Sequence, residues 1–552
     1  MIYVDYEVPM PEDRLTFTGD NVYRYLGSHR ENGKLKHERV YIGKRIVVDD
    51  KQRLLPNDNY FDEYKKPKPT NATLRGRGRP RKNPVEISYR ELPPNRPLGF
   101  GYGIAVVQIA RESGLLDAIQ RVWGDEISMK ILAVAAHYAR GESSLTNLEH
   151  FTSRQMCFTN TILTSQRACE LFSSIEENNA QDFFRNWIKL NLGGRYACYD
   201  VTSVSSYARE ITHIAWGYNR DHEKLPQFNV GLFARTDNGM PLYCSSYNGA
   251  INDFTNLPAV ARRARSAGLN DKFMLVMDGA FCDGSTVDYV SSLDYKFLVG
   301  APLADNYPGV SAKVLAWHTS QGSALRYLDS SHDSHYICES APFQVSNTAG
   351  NLLMYRFKEL QHEQEMGLLD RLSEMECLLS DKHLELTTQQ LKGCEKFFTV
   401  SGAQPGRTFS RNTELIENEL ALCGAMALFT NDFTLEPSGA LRQYRFKDHA
   451  EKGFADLKNE IMGERMRVHT KAAMQGKLLM LFIALVLRKL FRLKLGDYIR
   501  ENRSSLEDCI KKLMDIECVK YNGHWVLRDS LTRCQKDLTA ILGLPISNLS
   551  LT

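Results

Sequence analysis

Apolar and polar positions change period along the chain and divide it into stretches of different kind. "NVYRYLGSHRENGKLKHERVYIGKRIVV", Asn21 to Val48, holds two β-rich runs around the polar turn "SHRENGK" and predicts a twisted hairpin or small sheet. Two strands alone are marginal in water, so this ribbon is expected to lean on a neighbour or a ligand. Pro67, Pro69, Pro80, Pro84, Pro93, Pro94 and Pro97 then mark a linker. From Leu98 to Leu192 apolar residues recur every three or four positions, as in "GIAVVQIARESGLLDAIQRVWG", which predicts helices. Short β-rich runs follow: "RYACYDVTSVSS" (Arg195 to Ser206), "FNVGLFARTDNGMPLYCSSYNG" (Phe228 to Gly249), "KFMLVMDGAF" (Lys272 to Phe281) and "YKFLVGAP" (Tyr295 to Pro302). With the helical "NLPAVARRARSAG" between them, this is the order of a mixed α/β layer. "RTDNG" at Arg235 to Gly239 reads as the turn of the hairpin.

From Asp305 to Glu436 β runs such as "SHYICES" precede a long polar-apolar helix and a further strand, "CGAMALFTND", which reads as an insertion. The expected divisions are 1–64, a β-rich module; 65–97, the linker; 98–192, helical; 193–304, the first part of the α/β core; 305–436, the inserted subdomain; 437–495, the second part of the core; and 496–552, helical. A chain of 552 residues is too long for one core, in keeping with several domains.

"YRFKDHAEKGFADLKNEI", Tyr444 to Ile461, concentrates aromatics, bases and acids. Drawn as one helix at about 100° per residue, Phe446, Ala450, Phe454, Leu457 and Ile461 form an apolar stripe. Tyr444, Lys447, Glu451 and Lys458 fall on the neighbouring stripe, which sets a carboxylate between two ammonium groups. Alone, this is also the pattern of a surface helix with salt bridges.

Charge sharpens the picture. The net charge is only +3, but Lys65 to Lys82 carries eight Lys or Arg and no acid, and Ala440 to Arg500 carries fourteen against six. Such local basic regions point to polyanion contacts at defined places. The twelve cysteines show no CxxC pair, which argues for reduced thiols in a cytosolic protein and against a disulfide framework or zinc site. The N-terminus lacks the charged and apolar regions of a signal peptide. The longest apolar run, "LLMLFIALVL" at Leu478 to Leu487, is ten residues, about half a membrane span, so a buried helix is expected and no membrane partner.

Asp200 ends the run "YACYD" and Asp278 ends "FMLVMD", so each acid stands where a buried strand emerges. Carboxylates held there, with a third from a packed helix, can supply hard oxygen ligands to Mg²⁺. Glu451 is the candidate third acid. Rivals remain: Asp283 in "CDG" reads as a turn residue, Asp448 and Asp456 flank Glu451, and either strand-end Asp could simply cap a turn. His222 and His469 are candidates for polyanion contacts or local hydrogen bonds.

Taken together, "YDVTS", "MDGAF" and the spacing of Tyr444, Lys447, Glu451 and Lys458 resemble the bacterial insertion-sequence transposases of the DDE class, in the group with the Tyr-x2-Arg-x3-Glu-x6-Lys motif. Lys447 departs from that motif: it keeps the charge of the Arg but not its bidentate geometry. "RGRGRPRKN", Arg75 to Asn83, resembles an AT-hook, whose arginines (here Arg75, Arg77, Arg79 and Arg81) enter the minor groove of A/T-rich DNA; the alternative is a solvated basic tether.

The resemblance implies an α/β fold class, multidomain α+β overall, with an RNase H-like mixed-sheet catalytic core interrupted by an inserted subdomain. It also implies catalysis and metal ligation by Asp200, Asp278 and Glu451, with Mg²⁺ or Mn²⁺ as a pair of ions. Tyr444, Lys447 and Lys458 would contact DNA. The implied partners are double-stranded DNA, as terminal inverted repeats and target, and further copies of the chain assembled on it; the N-terminal module, linker and helical region would bind the ends. The implied location is the bacterial cytoplasm, on the nucleoid when bound. Two other readings remain: a Mg²⁺ nuclease that cuts without joining, and a transposase-derived DNA-binding protein that has lost catalysis.

Overall fold

The computed structural model describes the chain apart from residues 1, 4–5, 32–33, 49–50, 70–73, 76–95, 192–195, 207, 209–210, 218–224, 252, 270–272, 305–307, 321–327, 330–334, 382–383, 403–405, 448–452, 454–455, 457–465, 522–523 and 545–552. It divides into two units, Met1–Pro94 and Asn95–Thr552.

In the first unit, strands β1 (Val8–Pro9), β2 (Leu15–Thr18), β3 (Asn21–Glu31), β4 (Lys34–Val48) and β5 (Lys51–Pro56) form an antiparallel sheet in the order β1-β5-β4-β3-β2. Helix α1 (Asp58–Glu63) begins where the Asn57 side chain accepts the Tyr60 N–H, a cap that satisfies a free helix donor. Val22, Ile42, Leu54, Tyr60 and Phe61 make a small core on one face. The expected hairpin thus leans on neighbours at its base.

The second unit is built on a nine-stranded mixed sheet. Its strands are β6 (Tyr196–Ser205), β7 (Gln227–Arg235), β8 (Pro241–Asn248), β9 (Met274–Met277), β10 (Lys296–Ala301), β11 (Leu328–Asp329), β12 (His335–Val345), β13 (Thr348–Phe357) and β14 (Ala425–Thr430). Their order is β8-β7-β6-β9-β10-β14-β13-β12-β11. Only β9 runs parallel to both its neighbours; the remaining ladders are antiparallel. Runs such as "FMLVM" are apolar at every position because both faces of the sheet are covered.

The stretch 305–436, expected to form one insertion, divides between two places. Its strands β11 to β14 extend the central sheet. Between β13 and β14 lie helices α2 (Lys358–Ser380) and α3 (Thr388–Glu395), which share a separate small core around Leu368, Leu372, Leu379, Leu386 and Phe398. At the other end of the unit, helix α4 (Lys471–Glu501) carries the apolar run Leu478–Leu487 through the main core. Phe482 stands edge-on to Phe183 and Phe184, so its truncation to Ala should cost about 3–5 kcal/mol. None of the described helices is long and apolar enough to cross a membrane.

The helix drawn over Tyr444–Ile461 requires correction. Helix α5 runs from Pro437 to Arg445, so Tyr444 lies in its last turn, not its first. Pro437 suits a first helical position because its missing N–H would have had no partner. Phe446 is the C-cap, and a tight bond from the Lys447 N–H to the Tyr444 carbonyl carries the chain out of the helix. Helical periodicity continued across this point, but the chain leaves the helix to aim Lys447 at the sheet.

Candidate functional site

Strands β6 and β9 are adjacent and parallel, with Met277 opposite Tyr199. Asp200 and Asp278 are each the next residue, so the two acids emerge at matching positions and, by the alternation of side chains, on one face. On that face Cys198, Val276 and Leu298 pack with Ala440 and Leu441 of α5, and Tyr444 lies against them. The Thr236 hydroxyl donates to the Gln443 side chain at 2.7 Å, a second tie between α5 and the sheet.

Asp200 is buried, and its Oδ1 accepts the Val201 N–H at 2.8 Å. Asp278 is half exposed; its Oδ1 caps the Gly279 N–H at 2.8 Å, at the start of a short 3₁₀ turn. The Lys447 ammonium, itself buried, lies 3.2 Å from the same oxygen, and the Tyr444 hydroxyl reaches it at 3.4 Å. Burial pushes the Asp278 carboxyl up, but Lys447, the Gly279 N–H and Tyr444 together outweigh it and hold the group below the usual carboxylate range.

Gly300 on β10 makes this approach possible. A Cβ there would stand 2.6 Å from the Tyr444 hydroxyl and 3.1 Å from the Gly279 nitrogen. No feature of the sequence singled out Gly300, because the need arises only when three distant segments meet.

Two of the rival acids are engaged elsewhere. Asp283 caps the helix Gly284–Ser292, accepting from the Thr286 N–H at 3.1 Å and from Ser285. Asp456 is buried and gripped by two arginines of α4: Arg492 makes a forked pair with it, and Arg488 lies 3.6 Å away. Arg488 is fully buried, donates to the Ala139 carbonyl at 3.1 Å and pairs with Glu507. The four-residue spacing of Arg488 and Arg492 in "LRKLFRLK" sets both on one side of the helix, but the partner they share is not legible there.

Of the other candidates, Glu451, Lys458, Asp448, His222, Arg77, Arg79 and Arg81 lie outside the described residues, and for Arg75 only the backbone is described, in a two-residue strand pairing with Ile2–Tyr3. Among the described residues there is no group of three His, Cys, Asp or Glu suited to a metal. The chemistry of the donors nonetheless fits a hard divalent cation: two carboxylates fixed on neighbouring strands, one of them half open to solvent.

A mixed α/β sheet thus presents two aligned acids beside a packed helix. Residues 194–487 match the family described as the Transposase DDE domain. The match spans more than half of the 552 residues, and the chain belongs to that family. Among solved structures, the cryo-EM structure of the piggyBac transposase synaptic complex with hairpin DNA aligns over 77% of each chain, at 9% identity and a TM-score of 0.34. A likeness that loose has no bearing on function. No curated protein matches the sequence.

Proposed function

We propose that the protein is a DNA transposase that cuts phosphodiester bonds at the ends of its element and joins the freed 3′-hydroxyl to target DNA. The observation that carries the reading is the alignment of Asp200 and Asp278 on adjacent parallel strands, inside a chain of the Transposase DDE domain family. Glu451 completes the trio in this reading.

Asp200, Asp278 and Glu451 would hold Mg²⁺ or Mn²⁺, as two ions, which lower the pKa of an attacking hydroxyl and offset charge on the departing oxygen. The chain's own part is positional. Strands β6 and β9 fix the two carboxylates, and the Lys447 ammonium keeps Asp278 ionised. Tyr444 donates to the same oxygen and limits how the carboxylate turns. Lys458 and the basic linker would meet DNA phosphates, and paired ends would bring copies of the chain together. The cytoplasm, on the nucleoid, is the expected place of action.

The test uses the purified full chain, duplexes carrying the DNA ends that flank the gene, and a supercoiled target plasmid. Asp200→Asn, Asp278→Asn and Glu451→Gln should each lower cleavage by at least about a thousandfold while end binding persists. Chelation should abolish cutting in the same way. Cleavage by Glu451→Gln at the wild-type rate would remove it from the trio, and cutting without joining would reduce the activity to a nuclease.

A further inference from the structure

The first unit carries a projecting ribbon whose two faces differ in charge. From Leu26 and Glu38 to the tip, β3 and β4 pair with each other and, among the described residues, with no third strand. Cross-strand partners share a face, so the pairs Tyr25/Arg39, Ser28/His37 and Arg30/Leu35 lie on one side, an irregularity at Leu26 keeping Tyr25 in step. The 5.9 Å contact between the Tyr25 and His37 rings agrees with that assignment. The other side holds Gly27/Glu38 and His29/Lys36, where His29 and Glu38 pair at 3.3 Å.

The first face therefore carries two arginines, a histidine, a serine and a tyrosine, and no acid among its described residues. It continues down the sheet as an aromatic and basic surface. The Arg39 guanidinium lies 4.5 Å over the Tyr23 ring, Arg14 lies 4.6 Å over Tyr25, and Tyr23 contacts Tyr41. The opposite side of the base carries Val22 and Ile42 into the core. Leu35, near the tip, is 58% exposed. Among the described residues from Leu26 to Glu38, none belongs to the unit's apolar core, and a two-stranded ribbon without one is marginal alone.

We propose that this ribbon enters the major groove of double-stranded DNA, with Arg30, His37 and Arg39 towards the base edges and phosphates. The major groove, about 12 Å wide, admits a two-stranded ribbon, and an arginine fork matches guanine O6 and N7. The six residues from Tyr25 to Arg30, at about 3.4 Å each, span roughly 20 Å, or about six base pairs. The acid-free face complements the polyanion, and Ser28 and Leu35 add a hydrogen-bonding group and an apolar contact suited to a thymine methyl. This inference rests on the reading that the substrate is duplex DNA, and it names the element that recognises it.

The experiment uses the full-length protein and a labelled 30-bp duplex from the DNA flanking the gene. Arg30→Gln and Lys36→Gln remove the same charge from opposite faces of the ribbon. Arg30→Gln should weaken binding about tenfold, and Lys36→Gln less than threefold. Removing Arg30 and Arg39 together should lower the slope of log affinity against log salt by about two. Dimethyl sulfate should show guanine N7 protected by the wild type and exposed with Arg30→Gln, and duplex RNA of the same sequence should compete at least tenfold less well, because its major groove is too narrow.

Equal losses from the two faces, protection confined to adenine N3 in the minor groove, or full competition by RNA would each overturn the proposal. Asp200→Asn should bind and protect like the wild type yet not cut. Failure of the catalytic reading therefore shows in cleavage alone, and failure of this one in the footprint.

Discussion

The grip of α4 on Asp456 gives a quantitative prediction. Asp456→Asn keeps the size of the side chain but removes the charge that faces Arg492 and Arg488 in a largely dry site. Breaking a buried pair costs about 3–5 kcal/mol, because the charge left behind is no longer compensated. Here Arg488 retains Glu507 and Arg492 is partly exposed, so the low end, about 3 kcal/mol, applies. At about 1.4 kcal/mol per factor of ten, the contact should open on the order of a hundredfold more often. The chain has two units, so native-state hydrogen exchange over the α4 peptides is a better measure than a single global melt.

The double variant Asp456→Asn/Arg492→Gln removes both partners and should recover at least about 1.5 kcal/mol relative to the sum of the single changes. Additive costs within about 0.5 kcal/mol would refute the argument that these groups compensate one another.

Three further outcomes are expected. Gly300→Ala sets a methyl against the Tyr444 hydroxyl and should lower cleavage about tenfold through a displaced Tyr444, with end binding unchanged; wild-type turnover would show that Tyr444 needs no such closeness. Burial holds His137 down to about 4, and its Nε2 lies 2.7 Å from the Ser144 carbonyl. The unfolded chain binds the extra proton first, so stability should fall as pH drops from 6.5 towards 4, by up to about 3 kcal/mol; His137→Gln should flatten this dependence in thermal melts at stepped pH. Burial likewise lowers Lys477 to about 8, so the cost of its buried charge is fully present below pH 8 and is relieved as pH rises towards 10.5. Lys477→Met should stabilise the protein at pH 7 by up to about 3 kcal/mol and abolish the rise in stability at alkaline pH.

Much of this molecule is local in origin and could be read along the chain. The β-rich runs around Asp200 and Asp278, the N-terminal hairpin and the buried helix at Leu478–Leu487 each follow from side-chain period and length, because a strand or helix shows its buried face in its own sequence. Asp283 as a helix cap is equally local, since its partners lie two and three residues away. The helix over Tyr444–Ile461 shows where such reasoning fails. Its stripes are continuous in sequence, yet α5 ends at Arg445 and Lys447 turns inward to Asp278, which lies far away along the chain.

Tertiary structure alone decided that β6 and β9 are parallel neighbours with their acids in step, that Gly300 leaves room for Tyr444, and that Asp456 answers to Arg488 and Arg492. Each depends on segments brought together by burial of apolar surface, and period along one segment carries no record of its partner. Residue type settles which side chains can carry charge, bend or pack; the assembled sheet and helices set which of those charges meet.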